Sequence, residues 1–429
     1  MEKYLIKNGR LIDPFEKLDA VSDILTVGDK IEKIGPGIDD PAAKIIEASG
    51  KIVSPGFVDM HTHLREPGRE DKETIYTGTR SAVQGGFTAV ACMPNTEPAI
   101  DRADTVNLVK AIAAKDGICD VFVIGAITEN REGKKISDLR SLKKAGVIGI
   151  SDDGASVEDP EIMLNALKEA RKEGILVIAH CEDPGISAKG VMNKGLVSTK
   201  MGLRGIPKES EYARVKRDVE LAEKTGAAIH IAHISCMESV DIVRQAKAKG
   251  VRVTAETCPH YFAMTEDCCV TYDTNTKMNP PLRASGDVKA IKEGLKDGTI
   301  DAIATDHAPH TDCEKDVEFD YAPFGVIGLE TALGIAVIEL IDKKVLTWPE
   351  LISKLSSNPS RILGLKGPAL RKGSKADLTI IDPSFEYTYT RDSIRSKSKN
   401  SPFIGWQLKG RAEKVFVSGK IALGGDAPA

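Results

Sequence analysis

Residues 160–180 read PEIMLNALKEARKEGILVIAH: an amphipathic helix over 160–172, then the apolar run 175–179, which stops on His180. A continuous apolar run after an amphipathic helix is the pattern of a strand buried on both faces of a parallel sheet. Seven more such runs occur, at 52–58, 87–92, 121–126, 147–150, 228–232, 251–255 and 300–304, and 215–225 repeats the helical pattern. Eight βα units predict an α/β fold organised as a (β/α)8 TIM barrel, with its chemistry on the loops that follow the strands. A doubly wound sheet is the competing arrangement, but no G-x-G-x-x-G follows the first run.

The chain has 429 residues, and a barrel uses roughly 250 of them. Both ends have a different pattern. Residues 4–12 place Asn8-Gly9 between apolar runs, and 24–34 do the same with Gly28-Asp29, each a two-residue hairpin signal. Residues 376–381 read as a strand and 415–423 as another hairpin. Neither end is long enough to bury a core alone, so the two are expected to combine into a small β-sandwich domain of residues 1–53 and 366–429. Residues 54–365 are then expected to form the barrel domain that carries the chemistry. The apolar stretch 324–341 is interrupted by Glu330 and Glu339, which suits a helix covering a core better than a membrane span.

Composition narrows the function. Hydrophobic residues make up 41% and charged residues 28%, and 59 Lys and Arg against 63 Asp and Glu leave a net charge of −4. That balance lacks the basic excess of a nucleic-acid binder. The first residues carry charges where a secretory signal needs an apolar run. Eight scattered cysteines contain no C-x-x-C, which argues against a thiolate zinc cage or a disulfide scaffold. The expectation is a cytoplasmic protein with no nucleic-acid or membrane partner.

The eight histidines stand at 61, 63, 180, 230, 233, 260, 307 and 310. His61 and His63 follow the first barrel run, His180 the fifth, His233 the sixth, and His307 and His310 the eighth. A barrel brings those strand ends to one mouth, where residues distant in sequence can share a metal. His61 and His63, two apart in an extended segment, point the same way. His180 and His233 each end an apolar run and join the same candidate ligand set. His230, three before His233, falls on the opposite strand face and reads as structural. Of Asp152 and Asp153, one suits an ordinary turn cap and the other a carboxylate bridging two metals. Asp306, ending the eighth strand, is placed to bind metal and carry a proton, since an unpaired buried carboxylate is costly without a cation. His310 lies further along the loop and reads as a substrate contact.

Six segments, His61-Thr62-His63-Leu64-Arg65-Glu66-Pro67-Gly68, Met93-Pro94-Asn95-Thr96, Asp152-Asp153-Gly154, Glu256-Thr257-Cys258-Pro259-His260-Tyr261, Asn279-Pro280-Pro281-Leu282-Arg283 and Thr305-Asp306-His307-Ala308-Pro309-His310, occur in that order. Together they resemble the dihydroorotases of the longer, class I bacterial and archaeal branch of the amidohydrolase superfamily, over essentially the whole chain. The resemblance implies the reversible cyclisation of N-carbamoyl-L-aspartate to (S)-dihydroorotate in pyrimidine biosynthesis. It implies Zn2+, one or two ions with two favoured: one held by His61, His63 and Asp306, a second by His180 and His233, with Asp153 as the bridge. Many superfamily members bridge with a carboxylated lysine, and none stands in 147–154. Asp306 is the implied acid and base, working with metal-activated water. His63, Arg65, Asn95 and His310 are implied on the substrate's carboxylate side, and Asn279, Phe324 and Gly325 at its polar ring edge. A planar guanidinium suits a carboxylate. Arg283, in the same segment as Asn279, reads equally as an ordinary solvated residue and is left out of the site. The resemblance also allows a homo-oligomer and docking to aspartate carbamoyltransferase. Rival readings are a hydantoinase, dihydropyrimidinase or allantoinase, or an inactive scaffold homologue. The acidic stretch 311–320 reads equally as a lid or as an exposed loop.

Overall fold

The computed structural model describes residues 1–424. The chain begins with five strands: β1 (Lys3–Asp13), β2 (Leu18–Val27), β3 (Lys30–Gly35), β4 (Lys44–Glu47) and β5 (Ile52–Pro55). The parallel series follows with β6 (Phe57–Thr62), β7 (Phe87–Cys92), β8 (Asp120–Gly125), β9 (Gly149–Ile150) and β10 (Leu176–Ala179). A short ribbon of β11 (Met192–Asn193) and β12 (Gly205–Ile206) precedes β13 (Ile229–Ile231), β14 (Val253–Thr257) and β15 (Ala302–Ile303). The last strands are β16 (Leu378–Thr388), β17 (Gln407–Val417) and β18 (Lys420–Leu423).

Strands β6, β7, β8, β9, β10, β13, β14 and β15 pair in that order. The ring closes where Thr62 pairs in parallel with His307 and the His63 amide donates to the His307 carbonyl at 2.9 Å. The fold is a TIM barrel. Its interior is filled by Val58, Met60, Ala89, Ala91, Ile124, Ile178, Ala232, Ala302 and Ala304. The helix Pro160–Glu173 shows how the outer layer forms. Asp159 caps it by accepting from the Glu161 amide, Pro160 opens it, and Gly174 ends it at φ 65°. A proline at the start and a left-handed glycine at the end are the residues those positions favour. Met163, Ala166, Leu167 and Ala170 form its buried face.

The run 52–58 divides between two sheets. Residues Ile52–Pro55 pair with β1 and β16 in the terminal sheet, and the barrel's first strand starts only at Phe57. The crossing falls on Gly56, where a Cβ would lie 2.1 Å from Thr88 Oγ1, so only glycine fits between the layers. As a result His61 lies inside the first strand rather than beyond it.

The two chain ends meet along β5 and β16 and make one mixed sheet, ordered β18-β17-β16-β5-β1-β2-β3 with β4 beside β1. Tyr4, Ile6, Leu11, Ile24, Val53, Ile380 and Phe416 pack together in its core. The hairpin turns at Gly28-Asp29 and Ser418-Gly419 form as expected, joining β2 to β3 and β17 to β18. Asn8-Gly9 does not turn the chain. It is a bulge within β1, because both flanks keep pairing with β2 and the Asn8 amide is bonded to Asp23 Oδ1 at 2.9 Å. The stretch 324–341 is helical only from Ala332 onward. Gly325, at φ 128°, keeps the preceding segment irregular, and Val326 there pairs with His307. No helix among the described residues is long and apolar enough to cross a membrane.

Candidate active site

Histidines and carboxylates converge on Asp153 at the C-terminal end of the barrel. Its oxygens lie 3.3 Å from His61 Nε2, 3.3 Å from His63 Nε2, 3.3 Å from His233 Nε2 and 3.5 Å from His180 Nδ1. Asp306 completes the group, 3.0 Å from His63 Nε2 and 3.5 Å from His61 Nε2. The neighbouring Asp152 turns away to accept from the Thr128 amide at 3.0 Å and from its hydroxyl at 2.5 Å, the work of an ordinary loop brace.

The cluster has the properties of a metal centre. His61, Asp153 and His233 form one group of donors, and His61, His63 and Asp306 another, with the donor atoms of each group within 4.8 Å of one another. His61 Nε2 and His180 Nε2 are buried with no hydrogen-bond partner among the described residues. Buried polar atoms are rarely left unpaired, and imidazole and carboxylate are the donors a zinc-like ion takes. Burial alone pulls the His61 imidazole down, but Asp153 and Glu256 outweigh it and raise it well above its ordinary value. A field that holds a proton there will hold a cation. Burial likewise pushes the Asp153 and Asp306 carboxyls up, and the surrounding imidazoles reverse this and hold both below the usual carboxylate range.

The strand ends store backbone strain. Arg65, His233 and Asp306 take φ of 62°, 34° and 47°, a region unusual for residues with side chains and concentrated at functional sites. A cavity of about 290 Å³ opens over the cluster, lined among others by His63, Arg65, Asn95, Asp153 and His180. Its wall also includes His233, Asn279, Asp306, His310, Phe324 and Gly325. Of the candidate ligands and substrate contacts, only His61, fully buried, is outside its lining. Asn95 accepts from His63 Nδ1 at 2.7 Å, which turns its amide nitrogen toward other partners. Arg65 is partly buried and bonded through Nε to the Pro309 carbonyl at 3.2 Å. Burial draws it down to about 10, so it stays charged at neutral pH.

Several supporting residues escaped the sequence reading. Glu256 accepts from His61 Nδ1 at 2.7 Å and lies 3.2 Å from His230 Nε2. A carboxylate bonded to the far ring nitrogen of a ligand histidine fixes which nitrogen faces a metal. Asp59 accepts from the amides of His61 and Thr305, tying the first strand to the last. Glu182 accepts from Asn279 Nδ2 at 2.6 Å. A signal for two of them was present: Asp59 is two before His61 and Glu182 two after His180, so alternation puts each near its histidine's face. Arg283 is buried, with Ser235, Asn193 and Glu211 around its guanidinium. It is not solvated, since the loop it sits on folds inward against the β11–β12 ribbon, where it also donates to the Ile206 carbonyl.

Comparison with known proteins places this arrangement. Residues 50–239 match the family described as dihydro-orotase-like. The dihydroorotase of Elusimicrobium minutum is 52% identical over 421 residues, 98% of each chain. That of Geobacter metallireducens is 50% identical over 418 residues, 97% of this chain and 98% of its own. The chain belongs to the dihydroorotase family. Among solved structures, the L-hydantoinase of Arthrobacter aurescens superimposes with a TM-score of 0.90 at 24% identity, over 100% of this chain and 98% of the other. At that identity the likeness speaks for the fold.

Proposed function

We propose that this protein is a zinc-dependent dihydroorotase that interconverts N-carbamoyl-L-aspartate and (S)-dihydroorotate in pyrimidine synthesis. The observation that carries this reading is the pairing of two features in one cavity: the His and Asp cluster, and a wall of Arg65, Asn95 and His310 suited to a carboxylate. His61, His63 and Asp306 would hold one ion and His180 and His233 a second, with Asp153 a donor available to both sets. When bound, the ions supply the Lewis acidity that makes water a nucleophile near neutral pH.

The chain's own groups do the rest. Arg65 grips the ring carboxylate through its planar fork, with Asn95 Nδ2 and His310 beside it. Asn279 and the Phe324-Gly325 backbone meet the polar edge of the ring. Asp306, kept ionised by its imidazole neighbours, takes the proton of the attacking water and hands it to the departing ring nitrogen, base first and acid second. In reverse the same proton path closes the ring. Cyclisation consumes one proton, so each unit of acidification shifts the equilibrium toward dihydroorotate by about tenfold.

A hydantoinase-type substrate lacks the carboxylate that Arg65 would serve. The deciding assay compares kcat/KM for dihydroorotate, hydantoin, dihydrouracil and allantoin on metal-replete protein, with chelation and zinc readdition alongside. Preference for dihydroorotate, lost on chelation and regained with zinc, is expected; preference for an uncharged ring would overturn the proposal. The reading extends to a cytoplasmic homo-oligomer able to dock aspartate carbamoyltransferase, tested by sedimentation of the protein alone and with that enzyme. The barrel, 54–365, carries the chemistry, while 1–53 and 366–429 act as its scaffold.

A further inference from the structure

His310 is held from both ring nitrogens. Its Nδ1 lies 3.2 Å from the Lys72 ammonium, and its Nε2 lies 2.9 Å from the Phe324 carbonyl oxygen. An ammonium can only donate and a carbonyl can only accept. The two contacts therefore specify the same tautomer independently, with Nδ1 bare and Nε2 carrying the proton. Lys72 is 7% exposed, and its charge is braced by Glu314 Oε1 at 2.8 Å. Glu314 is fixed in turn by Arg69 at 3.1 Å and by the Thr311 amide at 3.0 Å.

We propose that Lys72 is a positioning residue for substrate recognition: braced by Glu314, it locks His310 as the Nε2–H tautomer, so that this N–H can pass from the Phe324 carbonyl to the carboxylate of the ring. The inference rests on the dihydroorotase reading and deepens it. Without Lys72 only the Phe324 carbonyl favours this tautomer, and Glu314 Oε2, 3.5 Å from Nδ1, competes by accepting a proton there. Nε2 would then turn a lone pair toward an anionic substrate. The charged groups facing His310 are Arg65 and Lys72 on the loop after β6 and Glu314 and Lys315 on the segment after His310. Burial first, and then the three cations, push the imidazole down to about 2 against the pull of Glu314. In the native protein His310 is thus neutral across the working pH range.

The test measures kcat and KM for dihydroorotate between about pH 5.5 and 9 in the native enzyme, K72M and K72R. At alkaline pH the K72M KM should rise about ten- to hundredfold, the loss of a hydrogen bond to a charged group, with kcat little changed. It should recover as pH falls toward about 6.5, where a released histidine protonates and regains its Nε2–H. The native KM should show no such inflection, and K72R should restore most of the binding. A K72M KM equal to the native one, or raised by the same factor at every pH, would overturn the proposal, since packing or charge alone would explain it. Nitrogen-15 shifts of His310 in the folded native protein decide the tautomer without any assay. An unprotonated Nε2 near pH 8 ends the idea even if K72M fails to fold, or if the native enzyme does not open dihydroorotate. That last result would instead refute the functional reading itself.

Discussion

At the terminal sheet, Tyr4, Ile6, Ile24, Val53, Ile380 and Phe416 bury apolar surface against one another. Its turns put Gly28 at φ 59° and Gly419 at φ 74°, where glycine is at ease. At the barrel mouth, four imidazoles and two carboxylates share one buried centre. Arg65, His233 and Asp306 hold positive φ there with no such ease. In the sheet, local preference and global fold largely agree, the bulge at Asn8-Gly9 and the positive φ of Lys17 and Ser418 aside, and such agreement favours stability. The mouth breaks local rules, and the barrel closing around it keeps it in place. One region contributes stability and the other spends it on chemistry.

Four substitutions can sharpen or break that contrast. Asp306→Asn should lower kcat by roughly a thousandfold, the scale of a lost general acid and base, while dihydroorotate still binds and the melting temperature holds. Near-native turnover would remove Asp306 from its role. Phe416→Ala, at the sheet core, should cost about 3–5 kcal/mol of stability and leave kcat per folded molecule unchanged. A drop in turnover without a drop in stability would mean that the sheet shapes the site directly. Arg65→Met should cut kcat/KM for dihydroorotate by about a hundredfold, as loss of a charge-assisted bidentate contact does. Its effect on uncharged cyclic ureides should be small, and equal losses on both substrate types would deny the carboxylate contact.

The smallest effect concerns Lys315, beside the mouth. Its ammonium is buried among the carbonyls of Thr274 and Pro323, and burial, followed by the charge of Lys277, brings it down to about 7. A lysine depressed in the folded state contributes stability that is complete above its unfolded value and is lost as pH falls toward the folded one. The native protein should therefore gain melting temperature between about pH 7 and 10 relative to K315M. Parallel curves would show that the buried charge is fully compensated.

Much of the mouth could be read from the sequence because barrel ligands sit at strand ends. Once 175–179 reads as a strand, His180 can only face the mouth, and the same holds for His233 and Asp306. The choice between Asp152 and Asp153 could not be read this way, since adjacent residues share every compositional signal. Their contacts in the fold separate them: Asp152 accepts from Thr128 while Asp153 meets the histidines. The braces were harder still. Glu256 and Lys72 act on His61 and His310 across 195 and 238 residues of chain, and no local periodicity encodes such pairs.

By itself the sequence determined the alternation of buried strands and amphipathic helices, the turns at Gly28-Asp29 and Ser418-Gly419, and the side chains available at each strand end. These depend on burial, φ preference and residue chemistry, which act over a few residues. Tertiary structure decided where 52–58 splits at Gly56, that Asn8-Gly9 bulges rather than turns, which aspartate meets the histidines, and which tautomer His310 keeps. Each of these outcomes is set by atoms that the fold brings together from different elements, and their energies exist only once those elements have packed.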